Sequence, residues 1–181
     1  MKLKELQREP RSPEIIVMVG LPGSGKSTWR DKFLASEDKE FVVISSDDEI
    51  EDQVRQYNDE LKDKNITGQD LNYTSGFKQF IGKATGITKQ KFREAVNSDK
   101  NIIWDQTNLS AKKRRGILQQ VPDQYYKVAV VFEVTDDELM NRLRNREKET
   151  GKSIPADVVK SMARSYEPPS KSEGFDVVKF M

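Results

Sequence analysis

The chain contains no cysteine and no histidine among its 181 residues. The lack of cysteine excludes disulfides, thiolate zinc sites and a cysteine nucleophile. Without histidine, a general base that works near neutral pH has to be an aspartate, glutamate, lysine or tyrosine, and a carboxylate is the usual choice. The sequence also lacks an apolar run of the roughly 20 residues that a membrane helix needs. We therefore expect a cytoplasmic protein without membrane segments, whose acid–base chemistry depends on carboxylates.

The chain has almost no net charge, because 31 basic and 30 acidic residues leave +1. Proteins that coat long nucleic acids neutralise many phosphates with a basic surface, so the charge does not indicate that class. A protein that grips only the end of a nucleic acid remains compatible with it. The length fits one domain with one active site.

Apolar strands alternate with amphipathic helices along residues 15–181. Residues 1–14 are polar and read as a tail. Strands are predicted at 15–19, 41–44, 101–105, 127–134 and 175–180. A first helix is predicted after residue 27, with Trp29 and Phe33 on one face, and a second begins near Asp48. Two short helices are predicted between 58 and 100, and one capped by Ser110 runs to Val121. The last two are one from Asp136 with Leu139, Met140 and Leu143 inward, and one containing Val158, Val159, Met162 and Tyr166. This alternation predicts an α/β domain with a parallel sheet covered by helices on both faces.

The residues that follow the first strand match the pattern G-x-x-x-x-G-K-[ST]. They are Gly20, Leu21, Pro22, Gly23, Ser24, Gly25, Lys26 and Ser27. Such a loop between a strand and a helix wraps phosphates with its backbone amides, while the lysine reaches the outer phosphates. The serine hydroxyl offers an oxygen to Mg²⁺. The sequence thus predicts a site for ATP with Mg²⁺.

Two carboxylate positions end predicted strands. Asp47 and Asp48 follow the second strand, and one of them would face the edge of the sheet where ligands collect in open α/β folds. We predict that Asp47 is the general base and that Asp48 caps the next helix. Asp105 ends the strand at 101–105 and resembles a Walker B carboxylate that holds Mg²⁺ or its waters. The alternative is an aspartate that only forms a turn or caps a helix.

Two clusters of cations could meet phosphate. The run 112–115 begins a helix, where the macrodipole disfavours cations, so it indicates either a phosphate contact or a solvated face. Arg142 and Arg146 lie four apart on one helix face and could swing onto a transferring phosphoryl group, or could pair with nearby glutamates at 147 and 149. Trp29 and Trp104 adjoin apolar faces and are predicted to lie in the core.

The order of these motifs resembles phage-type polynucleotide 5'-hydroxyl kinases over residues 15–180. The resemblance rests on four features of the sequence. These are the stretch 20–29, Asp47 with Asp48, the stretch 105–108, and the segment with Arg142 and Arg146 that leads to Ile154 and Pro155. The stretch 166–175 is also similar to the kinase domain of animal polynucleotide kinase-phosphatases and to kinase-like domains of certain nuclear ribonucleoproteins. The family implies a compact P-loop kinase fold with a helical, arginine-bearing lid.

The resemblance assigns roles residue by residue. Residues 20–27 with Thr28, Arg142 and Arg146 hold ATP, and Arg146 stabilises the migrating phosphoryl group. By the same resemblance we expect Ser27 and Asp105 to hold the metal and Asp47 to act as the base. We expect Asp47, Asp105, Thr107 and Asn108 to contact the acceptor. Gln106 separates Asp105 from Thr107, whereas the phage enzyme has its aspartate directly before the threonine.

The acceptor side departs from the family at one position. Where the phage enzyme has an arginine three residues after its base, to bind the acceptor phosphate, this sequence has Ile50. We expect Arg114 and Arg115, which follow the Thr107-Asn108 turn, to hold that phosphate instead. The phosphatase signature of many phage enzymes, Asp-x-Asp-Gly-Thr, is missing, so we expect a kinase alone.

Three functions are compatible with these residues. The leading hypothesis is transfer of the γ-phosphoryl group of ATP to the 5'-hydroxyl of DNA or RNA, as in nucleic-acid repair, in the cytoplasm or in the host-cell cytoplasm if the protein is phage-encoded. A kinase of a small metabolite or nucleoside would use the same donor residues. A nucleotide- or RNA-binding module without turnover is the third, and the presence of Asp47 and the lid arginines argues against it. Oligomeric state and the choice between DNA and RNA stay open.

Overall fold

A five-stranded parallel sheet in the order β2-β3-β1-β4-β5 forms the centre of the computed structural model, which describes residues 13–181. The strands are β1 (Glu14–Val19), β2 (Phe41–Ile44), β3 (Asn101–Trp104), β4 (Tyr126–Val131) and β5 (Val177–Phe180). The helices are α1 (Lys26–Ser36), α2 (Ser46–Asp63), α3 (Tyr73–Asn97), α4 (Ala111–Leu118), α5 (Asp136–Thr150) and α6 (Ala156–Arg164), with a short 3-10 turn at Lys171–Glu173. The first strand begins one residue before the predicted 15, and residues 1–12 of the expected tail lie outside the described residues.

Both faces of the sheet are covered, as the continuous apolar run in β1 predicts. Ile15 and Val17 face a cluster that includes side chains from α3 and α4, whereas Ile16 and Met18 face Phe33 of α1. All five residues from 15 to 19 are inaccessible to solvent. Apolar side chains in unbroken succession suit a strand that is buried on both sides, so the predicted fold class is confirmed.

The segment 58–100 is where the helix predictions differ most from the structure. It contains the end of α2 and a single 25-residue helix, α3, instead of two short helices. A side chain on Gly76 would lie 2.1 Å from Val54 Cγ2, so glycine here allows α2 and α3 to pack closely, while Gly82 and Gly86 have open space beside them. Each interior glycine costs about 1 kcal/mol relative to alanine, and the packing of α3 on α2 offsets that cost.

The last two helices expose some of the residues that were predicted to face inward. Met140 and Val158 are 37% and 39% exposed, and α6 ends at Arg164, before Tyr166. Their neighbours Leu139, Leu143 and Val159 are buried, with Leu21, Val134 and Ile154 packed against them. Adjacent helix residues point in directions about 100° apart, so one of each pair has to turn away from the core. Through this apolar cluster, α5 packs against Leu21 in the loop that follows β1.

Side-chain caps start the helices that border the sheet edge. Ser45, Ser110 and Thr135 each accept a hydrogen bond from the backbone N–H three residues later, at the start of α2, α4 and α5. Ser110 therefore caps α4 as predicted, although this helix ends at Leu118 and not at Val121. No helix within residues 13–181 combines the length and apolar character needed to cross a bilayer.

Candidate active site

The loop between β1 and α1 has the backbone that a phosphate-binding turn requires. Gly23 and Gly25 have φ angles of 83° and 99°, in the left-handed region that favours glycine. The Gly20 N–H donates to the Thr107 carbonyl at 3.0 Å, which ties the start of the loop to the end of the neighbouring strand. The buried hydroxyl of Ser24 has no hydrogen-bond partner among residues 13–181. The two left-handed glycines therefore give the loop the kind of backbone with which such turns wrap a phosphate.

Lys26 closes this loop on itself. Its ammonium donates to the carbonyls of Gly20 at 2.9 Å and Leu21 at 2.8 Å. Burial lowers its pKa to about 8, against the opposing influence of the Asp105 and Asp47 carboxylates. A cation that has lost most of its water gains more from phosphate oxygens than an exposed lysine would, so Lys26 fits the predicted contact with the outer phosphates.

A cleft of about 1030 Å³ extends from this loop along the carboxyl ends of the strands. Its lining brings together most of the predicted site residues, namely 22–28, Asp47, Asp105, Thr107, Arg142 and Arg146. Gly20 and Leu21 do not belong to this lining, and their carbonyls accept the two hydrogen bonds from Lys26. Asn108, Arg114 and Arg115 are the other predicted residues that do not line the cleft.

Asp47 lies in the first turn of α2, with its carboxylate open to the cleft. Its Oδ1 accepts a hydrogen bond from the Tyr73 hydroxyl at 2.7 Å, and its Oδ2 lies 3.8 Å from Nη2 of Arg146. The side chain is 54% exposed, so an acceptor hydroxyl could reach it. A carboxylate within reach of an incoming hydroxyl is the geometry that a general base needs.

Asp48 has a different environment from its neighbour. It accepts a hydrogen bond from Nη1 of Arg30 at 2.7 Å, and the same nitrogen donates to Asp105 Oδ2 at 2.8 Å. Ser45, and not Asp48, provides the side-chain cap of α2, so the predicted capping role is wrong. Sequence reasoning missed Arg30, although its spacing of four from Lys26 places it on the same face of α1.

The carboxylate of Asp105 is buried directly after β3. Burial raises its pKa, while the nearby Arg30 and Lys26 act in the opposite direction. Asp105 and Ser27 both line the cleft, yet no group of three or more histidine, cysteine, aspartate or glutamate side chains suited to a metal occurs within residues 13–181. Mg²⁺ commonly takes one or two protein ligands and fills its other positions with phosphate oxygens and water. These residues thus fit a metal that arrives with the nucleotide.

Arg142 and Arg146 of α5 lie near the phosphate loop and the candidate base respectively. Arg142 donates to the Gly23 carbonyl at 3.4 Å and forms an ion pair with Glu138, while Arg146 faces Asp47. The alternative prediction is that these arginines pair with the glutamates at 147 and 149 on a solvated helix. Neither arginine forms such an ion pair in the described part of the chain. One helix therefore carries cations toward both the phosphate loop and the candidate base.

Asn108 has a structural role instead of the predicted contact with the acceptor. It is fully buried with a φ of 47°, and its amide nitrogen donates to the Met18 carbonyl at 2.7 Å. This bond links the segment after β3 to β1, beside the Gly20–Thr107 bond. The side chain is too enclosed to meet a substrate, so this prediction is wrong, whereas Thr107 does line the cleft.

The prediction that Arg114 binds the acceptor phosphate is also wrong. Arg114 is completely buried, and its Nε and Nη2 both donate to the Glu173 carboxylate at 2.8 Å. Its Nη1 donates to the carbonyls of residues 108 and 109. Arg115 is exposed on α4 and away from the cleft. Of the basic run 112–115, only Lys113 lines the cleft.

Two further residues near Asp47 carry no motif that would identify them from sequence. Tyr73 is the first residue of α3, and Lys152 follows Gly151, the residue that ends α5. The Lys152 ammonium forms an ion pair with Glu51 and lies 4.6 Å from the centroid of the Tyr73 ring. Only the three-dimensional fold brings them next to the candidate base.

The tryptophans pack as predicted. Trp104 meets Phe92 edge-on at 4.7 Å, and Trp29 stacks on Phe33 with ring centroids 4.9 Å apart. Trp29 also borders the cleft, so it packs in the core and contributes to the wall of the site.

Known proteins resemble this chain over most of its length. A family model described as AAA domain matches residues 15–169. Heterogeneous nuclear ribonucleoprotein U-like protein 2 from Mus musculus and from Homo sapiens is 24% identical over 169 residues, which are 92% of this chain and 21% of each relative. The chain thus spans about a fifth of the length of these curated relatives.

Solved structures share the fold at low identity. A chain in the structure of the Pnkp1/Rnl/Hen1 RNA repair complex has a TM-score of 0.62 and 23% identity, with coverage of 91% of this chain and 46% of that one. A gluconokinase from Sinorhizobium meliloti 1021 has a TM-score of 0.52 and 17% identity, with coverage of 94% and 82%. Together with the sheet order and the phosphate loop, these likenesses confirm the P-loop kinase fold.

Proposed function

The chain belongs to the AAA domain family, and from that premise we propose that it is a kinase that transfers the γ-phosphoryl group of ATP to the 5'-hydroxyl of a DNA or RNA end. The observation that carries the proposal is the pairing of Asp47 with Arg146 in the cleft that also contains Lys26. A proton acceptor, a cation beside it and a phosphate loop in one cavity are parts that phosphoryl transfer to an alcohol uses.

Each residue has a distinct task in this reaction. The loop amides and Lys26 hold the outer phosphates of ATP, and Ser27 with Asp105 would hold Mg²⁺, which neutralises phosphate charge when bound. Asp47 accepts the proton of the attacking hydroxyl as the new oxygen–phosphorus bond forms. The bond between the γ-phosphorus and the bridging oxygen breaks, and ADP leaves with the electron pair. Arg146 moves from Asp47 to the phosphoryl oxygens, where it offsets developing charge.

The acceptor side supports an anionic substrate. Lys113 and Lys152 line the cleft in addition to the two lid arginines. The order of the sequence motifs also resembles polynucleotide kinases, and the RNA repair complex contains a chain of the same fold. A nucleic-acid end combines a free hydroxyl with phosphates nearby, and it therefore fits these cations better than a neutral sugar does.

The proposal is tested by transfer of labelled phosphate from ATP to a panel of 5'-hydroxyl DNA and RNA oligonucleotides, nucleosides and sugars. We expect labelling of the oligonucleotides that requires Asp47, with Asp47→Asn as the inactive control. Labelling of a sugar or nucleoside in preference to oligonucleotides would assign a small-molecule kinase instead. ATP binding without transfer to any acceptor would assign a nucleotide-binding module.

A further inference from the structure

Lys152 lies where two cavities meet. It borders the main cleft and also a second cavity of about 430 Å³, whose walls include Glu51, Asn58 and Tyr73. Lysines are rarely buried because their ammonium groups are strongly hydrated. The side chain of Lys152 is nevertheless only 15% exposed, although the residue belongs to a loop. The carboxylate of Glu51 and the face of the Tyr73 ring hold its ammonium in place.

One aromatic ring separates this ammonium from the candidate base. The Tyr73 hydroxyl donates to Asp47 Oδ1 at 2.7 Å, and the face of the same ring contacts the Lys152 ammonium. When a substrate hydroxyl binds Asp47, the ammonium of Lys152 therefore lies close to it, on the side of the site formed by α2 and α3. A sugar that offers its hydroxyl to Asp47 can bring a substituent of its own to Lys152.

The chemistry of the proposed acceptor supplies such a substituent. In a nucleic acid with a free 5'-hydroxyl, the nearest negative charge is the phosphate on the 3' oxygen of the same sugar. Ile50 on α2 cannot bind it, because it is fully buried against Val54 and Ala84, and Arg114 is committed to Glu173. Arg146 also lies beside the base, but the proposed reaction uses it on the transferred phosphoryl group. Lys152 is a second cation close to the base, and it borders both cavities.

We propose that Lys152, held on the Tyr73 ring, binds the first phosphate of the acceptor and so selects an acceptor that carries phosphate beside its reactive hydroxyl. This inference rests on the proposed function and names the group that determines its substrate. Glu51 neutralises Lys152 when no acceptor is bound, and the phosphate oxygens compete for the same ammonium. Because Lys152 follows α5, the acceptor contact belongs to the same lid as Arg142 and Arg146.

The test compares the binding of a nucleoside 3'-phosphate with that of the unphosphorylated nucleoside, measured by equilibrium titration without turnover. The proteins are the parent, Lys152→Ala, Lys152→Arg and the matched control Lys148→Ala, which removes an exposed lysine of α5 that lines neither cavity. We expect Lys152→Ala to weaken binding of the phosphorylated nucleoside about tenfold and to leave the bare nucleoside unchanged. Lys148→Ala should match the parent, and Lys152→Arg should retain most of the preference.

Steady-state kinetics give an independent readout. With a 5'-hydroxyl oligonucleotide, Lys152→Ala should raise the acceptor KM while kcat and the ATP KM stay near the parent values. A parent that binds both nucleosides equally, or a Lys152→Ala variant that keeps the parent preference, overturns the inference. A parent that phosphorylates no oligonucleotide overturns the proposed function instead, and the binding comparison then decides the role of Lys152 without reference to activity.

Discussion

Arg114 in α4 and Glu173 in the 3-10 turn form a bidentate ion pair that is shielded from solvent, with both N–O distances at 2.8 Å. The third guanidinium nitrogen binds the carbonyls of residues 108 and 109, just after the segment whose Thr107 carbonyl holds Gly20. The ion pair therefore anchors the segment after β3, whose Thr107 lines the cleft, to the 3-10 turn that contains Glu173.

The first prediction is that Arg114→Ala lowers the free energy of unfolding by about 3–5 kcal/mol, because it leaves the Glu173 carboxylate buried without its partner. Urea denaturation measures this change. Arg115→Ala is the matched control, since it removes an exposed arginine from the same helix and should stay within about 0.5 kcal/mol of the parent. An Arg114→Ala variant with the parent stability and a selective loss of phosphorylated acceptors would restore the acceptor role.

The second prediction separates the adjacent carboxylates of Asp47 and Asp48. Asp47→Asn should lower kcat by about 10²- to 10⁴-fold and leave ATP binding nearly intact, because it removes the proton acceptor. Asp48→Asn removes a partner of Arg30 and should mainly lower stability. Steady-state rates and ATP titration of the two variants measure the difference. A larger loss of kcat in Asp48→Asn would move the base to that residue.

The third prediction concerns the pH dependence of ATP binding. Burial lowers the pKa of Lys26 to about 8, so in the free protein its ammonium is present below that pH and is lost as the pH rises above it. ATP affinity should therefore fall between about pH 8 and pH 10, by up to roughly tenfold per unit. Titrations across this range should show the decline in the parent and a flat profile in Lys26→Ala. Equal slopes in both proteins would assign the decline to another group.

The sequence predicts those parts of the site that depend on local chemistry. The glycines around Lys26 determine the loop by themselves, and the carboxyl ends of parallel strands necessarily share an edge, which brings Asp47 and Asp105 together. The roles of Arg142 and Arg146 in α5 are predicted from their spacing of four on one helix face and from the resemblance to polynucleotide kinases. These features need only a short motif or the direction of a strand.

Distant contacts decide the features that the sequence did not reveal. Arg114 and Lys113 are neighbours in one basic run, and the choice of which points inward depends on Glu173, far along the chain. The close packing of α3 on α2 likewise depends on Val54, which fills the space beside Gly76. Lys152 acquires its position from Glu51 and the Tyr73 ring. No periodicity or motif encodes such pairings.

The fourth prediction is that Arg146→Ala lowers kcat about 10²- to 10³-fold while the ATP dissociation constant changes little, because the guanidinium acts on charge that develops only in the transition state. Arg144→Ala is the matched control, since it removes an exposed arginine of α5 that binds Asn141 and does not line the cleft. Steady-state kinetics together with ATP titration distinguish the outcomes. Weaker ATP binding with unchanged kcat would show that Arg146 binds the nucleotide in the ground state only. If the variant matched the parent in both assays, Arg146 would have no role in the reaction and would simply lie on a solvated face of α5.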